Sequence, residues 1–211
     1  MFEVIRIPAF KDNYIWLLRK GASAVVVDPG DANCVLEVLE RERLTLDSIL
    51  ITHHHQDHQG GVAGLLLRYP SAEVFGPTVE SITGLTRPLH GGEMICPAGL
   101  CVELQVLTVP GHTLGHLAYY CPDALFCGDT LFACGCGRIF DGTPAQLHAS
   151  LTRLAELPDE TLVYCSHEYT LSNQQFAGQI EPDNAALSAR RLRDQARRAA
   201  GLPTVPSRMA E

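Results

Sequence analysis

Apolar residues in the first two thirds of the chain come mostly as short β-rich runs, with helical spacing in between and again near the end. Val4–Ile7, Tyr14–Leu18 and Ala24–Val27 are rich in β-branched and aromatic residues, and Asp12-Asn13 and Lys20-Gly21 between them read as turns. Asp31 is placed to cap a helix carrying Val35, Leu36, Val38 and Leu39 that ends near Arg43. Ser48–Thr52 predicts a buried strand, and Gly60-Gly61 opens a second helix through Leu65, Leu66 and Leu67 that Pro70 stops. Further strands are expected over 73–76, 100–109, 116–121 and 124–127. Pro144 behind Thr143 marks a helix start, and Leu147, Leu151, Leu154 and Leu157 follow at helical spacing. Thr161–Cys165 is the last predicted strand, and two helices, 171–180 and 184–200, close the chain. Strand-rich halves with interspersed helices imply an α/β protein with two packed sheets covered by helices outside.

At the end of the Ser48–Thr52 strand lies Thr52-His-His-His-Gln-Asp-His-Gln-Gly-Gly61, with His53, His55, Asp57 and His58 as potential metal ligands. If this segment is extended, alternate side chains share a face, so His53, His55 and Asp57 converge while His54 and Gln56 point away. His58 then falls where the chain turns, beside Asp57. Three further candidates recur downstream: His112 in Pro110-Gly-His-Thr113, Asp129 in Cys127-Gly-Asp-Thr130 and His167 in Cys165-Ser-His-Glu168. Seven nitrogen and oxygen ligands suit two ions of the zinc, iron or manganese kind that share a carboxylate. Each candidate follows a predicted strand, which brings them together at one edge of the sheets.

Composition narrows the setting. A chain of 211 residues with 46% hydrophobic content can bury a substantial core, as one large domain or one with an appendage. No apolar run approaches the roughly 20 residues of a membrane span. Charges and Pro8 interrupt the start, Met1–Pro8, where a signal peptide would be apolar, so a cytoplasmic protein without a membrane partner is expected. Eight cysteines without a Cys-x-x-Cys pair fit that compartment, with Cys101, Cys127 and Cys165 read as small buried hydrophobes and Cys134-Gly-Cys136 as a packing element. Residues 184–211 hold six arginines against Asp194 and Glu211, a net +4, so residues 1–183 carry −12 of the total −8. A body this acidic is a poor nucleic-acid binder.

Thr52–His58, Pro110–Thr113, Phe126–Phe132 and Cys165–Thr170 resemble the metal motifs of the metallo-β-lactamase superfamily. Within it, Cys134-Gly-Cys-Gly-Arg-Ile-Phe140 and His167-Glu-Tyr-Thr-Leu-Ser-Asn173 resemble the glyoxalase II (hydroxyacylglutathione hydrolase) family, over nearly the whole chain. The resemblance implies an αββα sandwich, two packed mixed sheets flanked by helices, over residues 1–167, with a partial helical substrate-binding region over 168–211. It implies that His53, His55 and His112 hold one divalent metal, that Asp57, His58 and His167 hold the other, and that Asp129 bridges them, with zinc expected and iron or manganese as alternatives. Asp28 in Val27-Asp-Pro-Gly30 matches a buried carboxylate that orients the ligand imidazoles, while His54 and His116 match no ligand. The implied reaction is hydrolysis of S-D-lactoylglutathione to glutathione and D-lactate by a metal-bound hydroxide, the second step of methylglyoxal detoxification, in a monomer, with Asp57 and Asp129 as catalytic carboxylates.

Arg138, Phe140 and Tyr169 match the positions that hold the glutathione half, a basic residue and two tyrosines in that family, so Phe140 keeps the aromatic wall and lacks a hydroxyl. Family members usually continue past Pro-Thr-Val-Pro-Ser into helices with basic residues, whereas this sequence stops at Glu211. Weak binding of glutathione thioesters is therefore expected, with Arg138 and Tyr169 as anchors and the Arg190–Arg198 cluster read as a solvated helix face. The rival readings are a single-iron persulfide dioxygenase, another enzyme of this fold such as a lactonase or β-lactamase, and a metal-binding protein with impaired substrate binding.

Overall fold

The computed structural model describes residues 2–211. The first half runs β1 (Glu3–Ala9), β2 (Asn13–Lys20), β3 (Ser23–Val27), α1 (Ala32–Glu42), β4 (Thr45–Leu50), α2 (Gln56–Gln59), α3 (Val62–Arg68), β5 (Glu73–Pro77) and β6 (Arg87–Leu89). The second runs β7 (Met94–Ile95), β8 (Leu104–Thr108), β9 (Leu117–Cys121), β10 (Ala124–Gly128), β11 (Leu131–Phe132), β12 (Gly135–Cys136), α4 (Pro144–Leu154), β13 (Leu162–Cys165), α5 (Thr170–Ile180), α6 (Ala185–Ala199) and β14 (Ser207–Arg208).

Strand β2 explains the layering. Tyr14, Trp16 and Leu18 point into the core between the sheets, while Ile15 and Leu17 join the layer under α1 and α3. Both faces are buried, which is why the strand reads as an unbroken apolar run rather than an alternation. The first sheet has order β1-β2-β3-β4-β5-β6 and the second β14-β13-β10-β9-β8-β7, with β11-β12 a separate hairpin. Pairing is antiparallel from β1 to β3 and parallel from β3 to β6, and β10 and β13 are parallel in an otherwise antiparallel second sheet. Trp16 Nε1 donates to the Cys165 carbonyl at 3.0 Å and Tyr119 Oη to the Ile51 carbonyl at 2.7 Å, so polar tips on large core residues stitch the two sheets together.

The capping signals hold. Asp31 accepts from the Asn33 amide, and Thr143 and Gln146 form a capping box with Pro144 in the first turn. The expected strand over 100–109 is shorter: residues 100–103 form a loop after Gly99, so Cys101 is exposed with φ 50° and is not the buried hydrophobe its apolar context suggested. The thiols of Cys127 and Cys165 are buried, and all eight cysteines are free. The two-residue strands and the single turn of α2 are too short to leave a periodic signal. Strand β14 pairs with β13, so the end of the chain returns to the second sheet after α6. Among the described residues no helix is long and apolar enough to cross a membrane.

Candidate metal centre

The strands β3, β4, β8, β10 and β13 all end at the same edge, and the residues just beyond them carry the candidate chemistry. Asp28 follows β3, the histidine run follows β4, His112 follows β8, Asp129 follows β10 and His167 follows β13. Three overlapping ligand groups result: His53 with His55 and His112, His53 with His58 and Asp129, and Asp57 with His58 and His167. All seven predicted ligands are brought together. The histidine run is not extended, contrary to the expected alternation. Residues 52–55 bend and α2 begins at Gln56, so Asp57 and His58 are aimed by a helical turn, not by an extended strand.

His55 Nδ1 lies 3.0 Å from His53 Nε2 and 3.1 Å from His112 Nε2. Tetrahedral ligands on an ion with bonds of about 2.0–2.1 Å would sit about 3.3 Å apart, so this spacing is close to a coordination face. Asp129 divides its oxygens: Oδ2 is 3.5 Å from His112 Nε2, while Oδ1 is 3.5 Å from His58 Nε2 and 3.4 Å from His167 Nε2. Asp57 Oδ2 closes the second group at 3.4 Å from His167 Nε2 and 3.5 Å from His58 Nε2.

Outer partners determine which ring nitrogen faces inward. Asp28 is buried and accepts from the Thr52 amide at 2.8 Å, from Thr52 Oγ1 at 2.7 Å and from His58 Nδ1 at 3.0 Å. A carboxylate only accepts, so the Thr52 hydroxyl spends its proton on Asp28 and must accept from His53 Nδ1, 3.0 Å away. His112 Nδ1 donates to the Arg138 carbonyl at 2.6 Å, and His167 Nδ1 to Asp12 Oδ1 at 2.9 Å. Four imidazoles therefore commit Nδ1 to an outer partner and aim Nε2 at the centre, the nitrogen that a cation would take. His116 is different: its Nδ1 donates to the Leu117 carbonyl at 3.0 Å, its Nε2 accepts the Asp129 amide at 3.2 Å, and its ring stacks on His53.

Sequence reasoning passed over Asp12, Asn13, Thr52 and Glu80. Asn13 Nδ2 donates to Asp57 Oδ2 at 2.9 Å. Glu80, half-buried with a side chain only 6% exposed, accepts from the His54 amide, His54 Nδ1, Thr113 Oγ1 and the Gly115 amide, so one carboxylate joins the loops that carry His53 and His112. Asp12, Asn13 and Glu80 lie outside the ligand motifs, with partners 26 to 155 positions away in sequence, while Thr52 heads the histidine run but is not itself a ligand type. Gly137 is legible in retrospect: a Cβ there would overlap the Asp129 carbonyl and press on His112 Nδ1 at 3.2 Å.

The electrostatics favour cation binding. Burial would raise Asp129, but His58 and His167 outweigh it and hold the carboxyl well below its usual range. Burial would likewise raise Asp57, and His167, His58 and Asn13 keep it low. Burial, reinforced by His58 and His116, keeps His53 neutral, and His116 is pushed down to about 3 by burial and by His112. His58 Nε2 and Asp129 Oδ1 are buried with no hydrogen-bond partner. Orphaned polar atoms at that depth need an explanation, and a divalent cation between them supplies one. The donor set fits such an ion.

Exposed aromatics rim the centre. Phe140 packs edge-on against His55 and His112, and Tyr169 stacks flat on His167 with Phe132 behind it. The Arg138 guanidinium lies 5.4 Å from the Phe140 ring centroid, and its side chain is exposed. The Arg190–Arg198 cluster is more tied down than a solvated face. Arg190 is buried against Asp194, which also pairs with Arg193, while Arg193 reaches Glu211 and Arg198 lies 3.7 Å from Glu168.

A family profile described as the metallo-beta-lactamase superfamily matches residues 10–81 and 87–167, and one described as the hydroxyacylglutathione hydrolase C-terminus matches 168–211. A hydroxyacylglutathione hydrolase of Dechloromonas aromatica is 61% identical over 211 residues, covering 100% of this chain and 78% of that protein. Among solved structures, ETHE1 from Myxococcus xanthus superposes with a TM-score of 0.70 at 33% identity, over 80% of this chain and 76% of that one. The protein TTHA1623, solved in a di-iron-bound form, gives a TM-score of 0.65 at 30% identity, over 78% of this chain and 91% of that one.

Proposed function

The chain belongs to the hydroxyacylglutathione hydrolases of the metallo-β-lactamase superfamily, and on that premise we propose that it hydrolyses S-D-lactoylglutathione to glutathione and D-lactate, the second step of methylglyoxal detoxification. The observation that carries the reading is the convergence of seven nitrogen and oxygen ligands beside Arg138, Phe140 and Tyr169. Identity of 61% to a hydroxyacylglutathione hydrolase across the whole chain favours this over the dioxygenase, lactonase and non-catalytic alternatives.

His53, His55 and His112 would hold one divalent ion and Asp57, His58 and His167 a second, with the two oxygens of Asp129 turned to one position each. Zinc suits this imidazole-rich set, and iron suits it also, as the di-iron form of TTHA1623 illustrates. When bound, the ions make hydroxide available near neutral pH and polarise the thioester carbonyl. Asp57, partly exposed and steadied by Asn13, orients the attacking water. Asp28, Thr52, Asp12 and the Arg138 carbonyl hold the imidazoles so that no reorganisation is needed at the moment of reaction. The Arg138 guanidinium and the Phe140 and Tyr169 rings bind the glutathione half and place its thioester over the centre. Attack breaks the acyl C–S bond, and the thiolate leaves to take up a proton as free glutathione.

In this reading residues 1–167 form the catalytic domain, with Arg138 and Phe140 at its rim, and 168–211 a partial helical substrate-binding region that adds Tyr169. The protein works as a cytoplasmic monomer without nucleic-acid or membrane partners, in keeping with eight free thiols and an acidic body. Turnover of S-D-lactoylglutathione, a lactone, a β-lactam and a glutathione persulfide by fully metallated protein, alongside metal analysis, tests it. The thioester should be consumed fastest, with release of one free thiol per turnover. Far faster turnover of any of the other three would overturn it.

A further inference from the structure

The tip of the first hairpin, between β1 and β2, lies at the edge where the metal centre sits, and its residues reach across both sheets. Asp12 Oδ1 accepts a hydrogen bond from His167 Nδ1 at 2.9 Å, and the Asp12 carbonyl accepts from the Glu168 amide at 2.9 Å. Asn13 forms an isolated antiparallel bridge with His167, and its Nδ2 donates to Asp57 Oδ2 at 2.9 Å. The next residue continues the grip: the Tyr14 amide donates to the Ser166 carbonyl at 2.7 Å and its hydroxyl to Glu168 at 2.8 Å. One turn thus holds a ligand from α2 and a ligand from the loop after β13, residues 110 positions apart.

Among the described residues, no hydrogen bond runs from this turn to His53, His55 or His112. His53 is held by Thr52, His112 by the Arg138 carbonyl, and their loops are joined by Glu80. Asp28 is shared by the two groups, directly to His58 and through Thr52 to His53, whereas the Asp12–Asn13 turn serves His167 and Asp57 alone.

We propose that Asp12 and Asn13 are positioning residues that set the affinity of the Asp57, His58 and His167 position independently of the His53, His55 and His112 position. Asp12 aims His167 through its distal nitrogen, and Asn13 stops the Asp57 carboxylate from rotating away. Neither would coordinate an ion. Outer partners of this kind typically change metal affinity by 10- to 100-fold. The inference rests on the two-ion reading given above.

Stepwise titration of metal-free protein with cobalt(II), followed by its visible absorption and by competition with a chelator, tests the proposal without reference to turnover. Wild type should show two steps. In Asn13→Ala and Asp12→Ala one and the same step should shift by about 10- to 100-fold while the other stays in place. Asp12→Asn, which retains an accepting oxygen, should recover part of the loss. Two steps in wild type with neither moved in the variants would overturn the proposal alone. Both steps weakened equally would reduce the turn to a general structural role and overturn it as well. A single step in wild type would overturn the two-ion reading and this inference together.

Discussion

Asp28 Oδ2 lies 3.0 Å from Nδ1 of His58, and both side chains are buried almost completely. Asp28 sits at φ 52°, a left-handed conformation that Asn tolerates better than most residues. Asp28→Asn therefore removes the acceptor character without adding backbone strain. It is expected to weaken metal binding about 10- to 100-fold, because the amide can turn a donor towards His58 or Thr52. Chelator competition on the folded variant checks this, and unchanged affinity would remove Asp28 from the metal-orienting network.

Asp129 points one oxygen at each ligand group. Asp129→Ala should lower occupancy at both positions, because both lose a ligand in one step. Elemental analysis after extensive dialysis reads the result. Loss of one ion with full retention of the other would show that the carboxylate serves a single position.

Arg138 separates its roles by atom. Its carbonyl accepts from His112, while its guanidinium faces solvent over Phe140. Arg138→Ala keeps the carbonyl, so metal content should stay at the wild-type value while KM for the thioester rises about tenfold, the loss of one charge-assisted hydrogen bond. Phe140→Tyr, which restores a hydroxyl at the rim, should move KM downward. Steady-state kinetics with matched metal analysis distinguish the two effects.

Glu80 accepts four hydrogen bonds from two loops. Glu80→Ala leaves several donors without a partner and should destabilise the protein by about 2–4 kcal/mol. The denaturant midpoint of metal-free protein measures it. A change of only a few tenths of a kcal/mol would mean that the loops close without this carboxylate.

Metal binding should release protons. Burial would lower His167, but the carboxylates of Asp129 and Asp57, each 3.4 Å from its Nε2, outweigh it and raise the group to about 10, and Asp129 and Asp28 raise His58 well above its usual value. Both rings are protonated at neutral pH in the metal-free protein, so an incoming cation displaces protons and apparent affinity climbs with pH. The same shift acts on stability. A histidine raised from 6.5 to about 10 stabilises the metal-free fold fully below about 6.5, and that contribution is lost as pH rises through about 10. Calorimetry of zinc binding in buffers of different ionisation enthalpy, and unfolding midpoints between those pH values, read the two effects.

Much of the architecture was legible from local chemistry. The helix caps at Asp31 and Thr143, the apolar strands Tyr14–Leu18 and Ala24–Val27 and the stop at Pro70 depend on residues within a few positions of one another. That seven histidines and aspartates would gather in one place was legible for a similar reason: each sits just beyond a strand in a short motif. The argument that His53, His55 and Asp57 align by alternation was nevertheless wrong in its geometry. The single turn of α2 is too short to announce itself.

What the sequence determined alone was which residue types are available and where strands and helices begin, because those depend on backbone propensity and burial pattern along the chain. Only the tertiary structure decided how the ligands are held. Asp12, Asn13 and Glu80 look like turn or surface residues in sequence, and become supports for His167, Asp57, His54 and Thr113 when the two sheets stack and bring their loops to one edge. It also decided that Cys101 is exposed and that Arg190 is buried on Asp194. A hydrogen bond between positions 155 apart has no local signature, since its strength depends on a distance and an angle that exist only after the core has packed.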